Sequence, residues 1–260
     1  MKPVSQLREP ERIRGLLFDI DETLTTGGKL TAEAYTALER LKRAGKYLIP
    51  VTGRPAGWCD HIARMWPVDA VVGENGAFYF GFFDDKLCKR YQHDADTRAR
   101  NRARMAGIAE RILAAVPGCA LASDQAYRET DLAIDYCEDV APLPLDAAER
   151  IANLMRQAGL NAKISSIHVN GWLGDYDKLS MTRALFRERF DLDLAAANRE
   201  VVFVGDSPND ASLFAYFDHS VGVANVRRFA GRMEAVPKYV TEAASGAGFA
   251  ELAAHLLSRA

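Results

Sequence analysis

Asp19 and Asp21 stand two residues apart at the end of an apolar run, Gly15-Leu16-Leu17-Phe18, and Glu22-Thr23-Leu24-Thr25 follows. Two acids converging at a strand end repel each other and are costly to desolvate, so they call for a compensating cation. Strand alternation carried through the pair would put both carboxylates on one side of the backbone and Ile20 on the other. Oxygen ligands of this kind suit Mg²⁺, which usually keeps water and a substrate phosphate in its shell. One carboxylate can then act as a nucleophile while its neighbour handles protons. Taken alone, the pair reads equally well as a helix start with Asp21 or Thr23 as N-cap.

The elements that must position these acids show the same arrangement three times. Gly15–Phe18 is bounded by polar residues, as a buried strand of a parallel sheet is. Tyr47-Leu48-Ile49-Pro50-Val51 is a second apolar run, ending in Thr52-Gly53-Arg54-Pro55. Val201-Val202-Phe203-Val204 is a third, ending in Gly205-Asp206-Ser207-Pro208-Asn209-Asp210. In open α/β sheets ligands bind beyond the carboxyl ends of the strands, so three such tips converge on one site. Thr31 as N-cap, an apolar stripe of Leu30, Ala34, Leu38 and Leu41, and Gly45 at the end predict a crossover helix between the first two strands.

In order and in type, these residues resemble the haloacid dehalogenase superfamily of phosphotransferases. The similarity is greatest to the type IIB, Cof-like subgroup, with a large α/β cap inserted after the third core strand. It is carried by Asp19-Ile20-Asp21-Glu22-Thr23, Thr52-Gly53-Arg54, Glu74-Asn75-Gly76-Ala77, Asp177-Lys178 and Gly205-Asp206-Ser207-Pro208-Asn209-Asp210, which span nearly the whole chain. The resemblance implies a Rossmann-like, doubly wound parallel sheet of α/β class. Its core would comprise residues 1–83 and 173–260, with an α/β cap at 84–172 that sets substrate specificity.

Composition excludes other classes. The chain has 260 residues, a formal net charge of −2, 48% apolar and 26% charged residues. That leaves no basic footprint for nucleic acid, and no run is long enough to span a membrane. Cys59, Cys88, Cys119 and Cys137 show neither a Cys-x-x-Cys pair nor zinc-site spacing, which points to free thiols in a reducing cytoplasm. Met1 to Arg14 holds no apolar stretch that would serve as a signal peptide. Between Asp84 and Asp175 the charges nearly balance, 12 basic against 14 acidic. The predicted cap elements are a helix over 95–116, a strand over 128–136, a helix over 145–158 and one strand over 162–170. Arg98, Arg100, Arg102, Arg104 and Arg111 step around the first of these helices and read as a solvated face.

The resemblance implies a Mg²⁺-dependent phosphoric monoester hydrolase. Asp19 would be the nucleophile and Asp21 the general acid and base. Thr52 would donate to the phosphoryl oxygens and Lys178 would neutralise them. Mg²⁺ would be held by Asp19, Asp206, a main-chain carbonyl near Asp21, and water fixed by Asp210. Gly53, Arg54, Asn75 and Asn209 are implied contacts around the phosphate. On the cap, Arg128, Lys163, Ser165, His168 and Asn170 lie on predicted strands that could face the cleft. Similar capped members act on sucrose phosphate or mannosyl-3-phosphoglycerate, so the expected partner is a small phosphorylated metabolite, a sugar phosphate. A phosphomutase of the same fold and a non-catalytic phosphometabolite-binding protein stay open as alternatives. The sequence leaves oligomeric state unknown. Two departures stand out. Glu22 occupies a position where the family commonly has glycine and is expected to point to solvent, and Leu179 follows the motif lysine where glycine is common.

Overall fold

The computed structural model describes residues 1–258. From the N-terminus, β1 (Lys2–Pro3) leads to β2 (Gly15–Phe18), α1 (Ala32–Arg43), β3 (Tyr47–Pro50), α2 (Ala56–Met65) and β4 (Val71–Gly73). Helix α1 starts at Thr31, whose hydroxyl accepts the Ala34 N–H. A hairpin follows, β5 (Phe78–Phe83) and β6 (Lys86–Tyr91), which the sequence reading did not anticipate. Then come α3 (Ala95–Ala115), β7 (Ala120–Leu121), β8 (Asp131–Asp135), α4 (Leu145–Gln157), β9 (Asn161–Ile164) and β10 (His168–Trp172). The chain ends with α5 (Lys178–Arg189), β11 (Val201–Gly205), α6 (Ala211–Tyr216), β12 (His219–Gly222), β13 (Tyr239–Val240) and α7 (Ser245–Leu257).

The main sheet runs β1-β13-β12-β11-β2-β3, and every pair in it is parallel. A single parallel bridge, Val51 to Val72, continues it toward β4. Its side chains alternate between two apolar layers, as a sheet covered on both faces requires. Leu16, Phe18, Leu48, Val202 and Val204 pack with Leu38 and Leu41 of α1 and Phe249 and Leu252 of α7. Leu17, Ile49, Val201 and Phe203 pack against Leu185 and Phe186 of α5 and Phe214 of α6. This is the doubly wound α/β fold. The chain moves outward from β2 through β3, and later from β11 through β12 on the other side. The strand order therefore reverses between β2 and β11, which is where such sheets bind ligands.

Strands β7-β8-β10-β9 form a separate antiparallel sheet. Its apolar face carries Leu132, Ile134 and Val169 and is covered by Met105, Ile108 and Ile112 of α3 and Ile151 and Met155 of α4. Period-two alternation puts Asp131, Asp135, His168 and Asn170 on the opposite face. The run 162–170, expected as one strand, is two: β9 and β10 pair antiparallel, with Val169 opposite Ile164. The out-of-phase Ile164 and Val169 are the mark of that reversal at Ser165-Ser166-Ile167. The four cysteines are free thiols, and among the described residues no helix is long and apolar enough to cross a membrane.

Candidate active site

Strands β2 and β11 pair in register, Phe18 beside Val204, so the residues that follow them emerge side by side. Asp19 N–H bonds the Val204 carbonyl at 2.9 Å. Beyond Val204, Gly205 makes room for the Asp210 carboxylate, which a Cβ at that position would overlap. Asp210 Oδ2 accepts the N–H groups of Asp206 (3.1 Å) and Ser207 (3.3 Å), folding the loop back over the strand tip. One carboxylate oxygen each from Asp19, Asp206 and Asp210 then lies within 4.8 Å of the others. Lys178 reaches into this cluster from α5, its Nζ 3.0 Å from Asp19 Oδ1 and 2.8 Å from Asp210 Oδ1. All four side chains are buried.

Burial pushes the Asp19 carboxyl up to about 7, against the pull of Lys178 and with further push from Asp210 and Asp21. Burial likewise drives Asp206 well above the ordinary carboxylate range, with Asp19 and Asp210 adding to it. For Lys178, burial would lower the value, but Asp19 and Asp210 outweigh it and hold the ammonium charged. Ionised together, the three carboxylates carry more negative charge than the Lys178 ammonium and the more distant Arg228 guanidinium, 3.6 Å from Asp206, can balance, a deficit that a cation would fill. Asp206 Oδ1, fully buried and without a hydrogen-bond partner, is an orphaned acceptor of the kind a cation satisfies. The all-oxygen donor set suits a hard ion such as Mg²⁺.

Thr52 follows β3 on the other side of Asp19, and Val51 N–H bonds the Phe18 carbonyl at 2.8 Å. Its buried hydroxyl accepts the Arg54 N–H at 3.1 Å, leaving its proton to donate elsewhere. Gly53 lies against the Asn75 amide. Asn75, at φ 57, donates to Asp131 Oδ2 at 3.3 Å, and Asn170 donates to the same oxygen at 3.0 Å. Asn209 is buried on the Asp206 loop, its Oδ1 taking the Ser207 hydroxyl proton at 2.8 Å. At Gly76, in the left-handed region at φ 102, a Cβ would overlap the Asp177 carbonyl. The Glu74–Gly76 turn is therefore seated on the residue that caps α5 and presents Lys178.

Several expected positions differ. The Asp21 carboxylate is not part of the acidic cluster. Strand β2 stops at Phe18, so alternation does not carry through, and Asp21 turns to Arg54, whose Nε lies 2.9 and 3.0 Å from its two oxygens. Arg54 is not open to a ligand: it also bonds Asp124 (3.3 Å) and Glu138 (2.5 Å) and stacks on Trp58 at 4.3 Å. Arg128 is fully buried and spends its guanidinium on Asp124, Asp131 and the Gly53 carbonyl. His168 is buried, its Nε2 2.8 Å from Glu138. Lys163 alone of the cap candidates is not buried; it is half-buried and its ammonium lies 3.4 Å from Glu234. It lines a groove of about 290 Å³ between α4, β9 and the core, with Arg156, Pro208, Phe229 and Arg232. Glu22 does not point to solvent: it accepts Gly28 N–H at 3.2 Å and the Ser245 hydroxyl proton at 3.1 Å.

The roles of buried Glu74 and half-buried Glu138 escaped the sequence reading. Glu74 accepts the N–H groups of Ala56 (2.9 Å), Glu129 (2.9 Å), Thr130 (2.6 Å) and Asp131 (3.2 Å), and the Thr130 hydroxyl. It thereby ties the start of α2 to β8. Glu138 joins Arg54 to His168. Glu74 stood inside a recognised motif, whereas nothing local marks Glu138.

Residues 16–99 match the family described as haloacid dehalogenase-like hydrolase, and solved structures that share the fold cover nearly the whole chain. The C-terminal domain of trehalose-6-phosphate phosphatase from C. albicans superposes with a TM-score of 0.71 at 13% identity, covering 100% of both chains. Sucrose-phosphatase from Synechocystis sp. gives 0.62 at 17%, covering 93% of this chain and 97% of the other. A haloacid dehalogenase subclass IIB sugar phosphatase gives 0.57 at 14%, covering 88% and 93%. No curated protein matches the sequence.

Proposed function

We propose that the protein is a Mg²⁺-dependent phosphatase that hydrolyses a small phosphorylated metabolite, a sugar phosphate, through an aspartyl-phosphate. The observation that carries this reading is the buried Asp19–Asp206–Asp210 cluster with Lys178 bonded into it. The sugar phosphatases of the same fold agree with it. Asp19 and Asp206 would hold the ion, with the Asp21 main-chain carbonyl beside them and Asp210 acting through water. Bound there, Mg²⁺ supplies the positive charge that keeps both carboxylates ionised and offsets the phosphoryl oxygens.

In the first half-reaction, Asp19 Oδ attacks phosphorus and the P–O bond to the leaving group breaks. The departing alkoxide takes its proton from Asp21. In the second, Asp21 accepts a proton from water as that water attacks phosphorus, releasing phosphate and restoring Asp19. Thr52 donates its free hydroxyl proton to the phosphoryl oxygens, and the Lys178 ammonium lies beside them. Arg54 holds the Asp21 carboxylate in one orientation while Asp21 shuttles the proton. Asn209, Gly53 and Asn75 shape the backbone around the phosphate.

Asp19 is 2% exposed and Asp206 and Thr52 are fully buried, while the Ser166 hydroxyl of the β9–β10 turn donates to the Asp21 carbonyl at 3.4 Å. These contacts support reading the expected cap, residues 84–172, as closed over the site through its β7-β8-β10-β9 sheet, while its first strand, β6, stays paired with β5. Substrate enters when the cap swings away, and water is excluded when it returns. We assign the leaving group to this junction, with Lys163 at its polar mouth and His168 and Arg128 fixing the cap face. The free thiols and the absence of a membrane-spanning helix among the described residues favour the cytoplasm.

Phosphate release from a panel of sugar phosphates, with Mg²⁺ and with chelator, tests the reading. Asp19→Asn is expected to release phosphate at least ~10³-fold more slowly while melting within a few degrees of wild type. Equal release by the two proteins would end the proposal, and isomerised sugar without free phosphate would make the protein a mutase.

A further inference from the structure

We propose that Asn225, on the segment following β12, is a positioning residue for the cation site. The proposal rests on the phosphatase reading above, yet it derives from hydrogen bonds of Asn225 that are separate from the Lys178 ion pairs with Asp19 and Asp210. Asn225 Oδ1 accepts the Ser245 N–H at 2.9 Å, and because a main-chain N–H can only donate, this fixes which end of the amide is oxygen. The NH₂ end is thereby aimed at two acceptors. One proton goes to Asp206 Oδ2 at 2.9 Å, the other to the Glu22 carbonyl at 3.0 Å.

This single amide joins three segments: the Asp206 loop, the loop that carries Asp19 and Asp21, and the first turn of α7. Its effect on Asp206 is directional. With Oδ2 occupied by Asn225, and Arg228 NH2 3.6 Å away, Oδ1 is the oxygen left buried and unpartnered. Asn225 therefore selects which Asp206 oxygen faces the cation. Its second bond holds the Glu22 carbonyl, and so the backbone next to Asp21, at a set distance from that oxygen. Partners of this kind, which touch a ligand rather than the metal, typically change metal affinity by 10–100-fold when removed.

The test is Mg²⁺ binding by calorimetry to purified full-length Asn225→Ala and Asn225→Ser, alongside wild type. Expected are roughly 10-fold weaker binding in both variants, a smaller Mg²⁺-induced rise in melting temperature, and a metal-free melting temperature within a few degrees of wild type. In turnover, the Mg²⁺ concentration for half-maximal rate should rise in step. The KM for the ester at saturating Mg²⁺ should stay within about twofold, because Asn225 touches no part of the substrate site. Wild-type Mg²⁺ affinity in both variants would overturn the assignment alone. Wild-type protein that binds no Mg²⁺ would overturn the phosphatase reading and this inference with it.

Discussion

Glu22 sits in the left-handed backbone region, at φ 54, a conformation that favours glycine. A glutamate is tolerated because its carboxylate bonds Gly28 N–H and the Ser245 hydroxyl and its carbonyl takes an Asn225 proton. These bonds offset a strain of about 1 kcal/mol. Glu22→Ala keeps the strain and loses both carboxylate bonds, so it should destabilise by about 1–3 kcal/mol. Glu22→Gly loses the same bonds but relieves the strain, and should recover roughly 1 kcal/mol of that loss. Equal melting temperatures for the two variants would show that the backbone there is not strained. The nucleophile-type residues were legible in the sequence because their chemistry demands acids, a hydroxyl and an ammonium at strand tips. Asn225 obeys the same rule, since it follows the apolar end of β12, but an amide after a strand looks like any turn residue. Its role exists only through partners 19, 20 and 203 positions away.

Among the elements, the turn Glu74–Gly76 does more positioning than its length suggests. Glu74 grips the start of α2 and the cap backbone at 129–131, Asn75 faces Asp131, and Gly76 lies against the Asp177 carbonyl. Asp177 caps α5 through the Ser180 N–H at 2.8 Å, so any displacement of Asp177 is passed to Lys178 one residue on. Gly76→Ala places a Cβ both at φ 102 and into that carbonyl. It should cost about 2–4 kcal/mol in unfolding and lower kcat more than KM, because Lys178 loses its register with Asp19. A variant that is as stable and as active as wild type would show that the turn and α5 are not coupled. Core helices and strands were readable from periodicity because each has one apolar face or a short apolar run. The β9–β10 reversal was not, since Ser165-Ser166 lacks the Gly or Asn that marks a tight turn. The β5–β6 hairpin was hidden by a continuous aromatic run with no alternation.

At the scale of the whole molecule, the cap is locked onto the core by charge. Arg54 of the core bonds Asp21 on its own side and Asp124 and Glu138 on the other. Arg232 pairs with Asp146 and Glu149 across the outer groove, and Lys163 with Glu234. The outer pairs are exposed and screened by salt, so the buried Arg54 cluster carries the closure. Burial alone would raise the Glu138 carboxyl, but the close approach of His168 Nε2, at 2.8 Å, and the hydrogen bonds from Arg54 pull it to about 2, from an ordinary 4.5. An acid whose value is lowered by folding stabilises the folded state above its free value, and the gain is lost as pH falls toward the folded one. Glu138 thus stabilises closure fully above pH 4.5 and progressively less down to pH 2. Allowing for its partial exposure, Glu138→Gln should lower the unfolding midpoint at pH 6 by the equivalent of about 1–3 kcal/mol. By pH 3.5 the gap between the two proteins should close to roughly half, since Glu138 of the unfolded wild type is then protonated while that of the folded protein is still ionised. Denaturant unfolding of both proteins at pH 6 and pH 3.5 reads this directly. A gap that stays constant, or widens in acid, would mean that Glu138 is not the charge through which the cap is held.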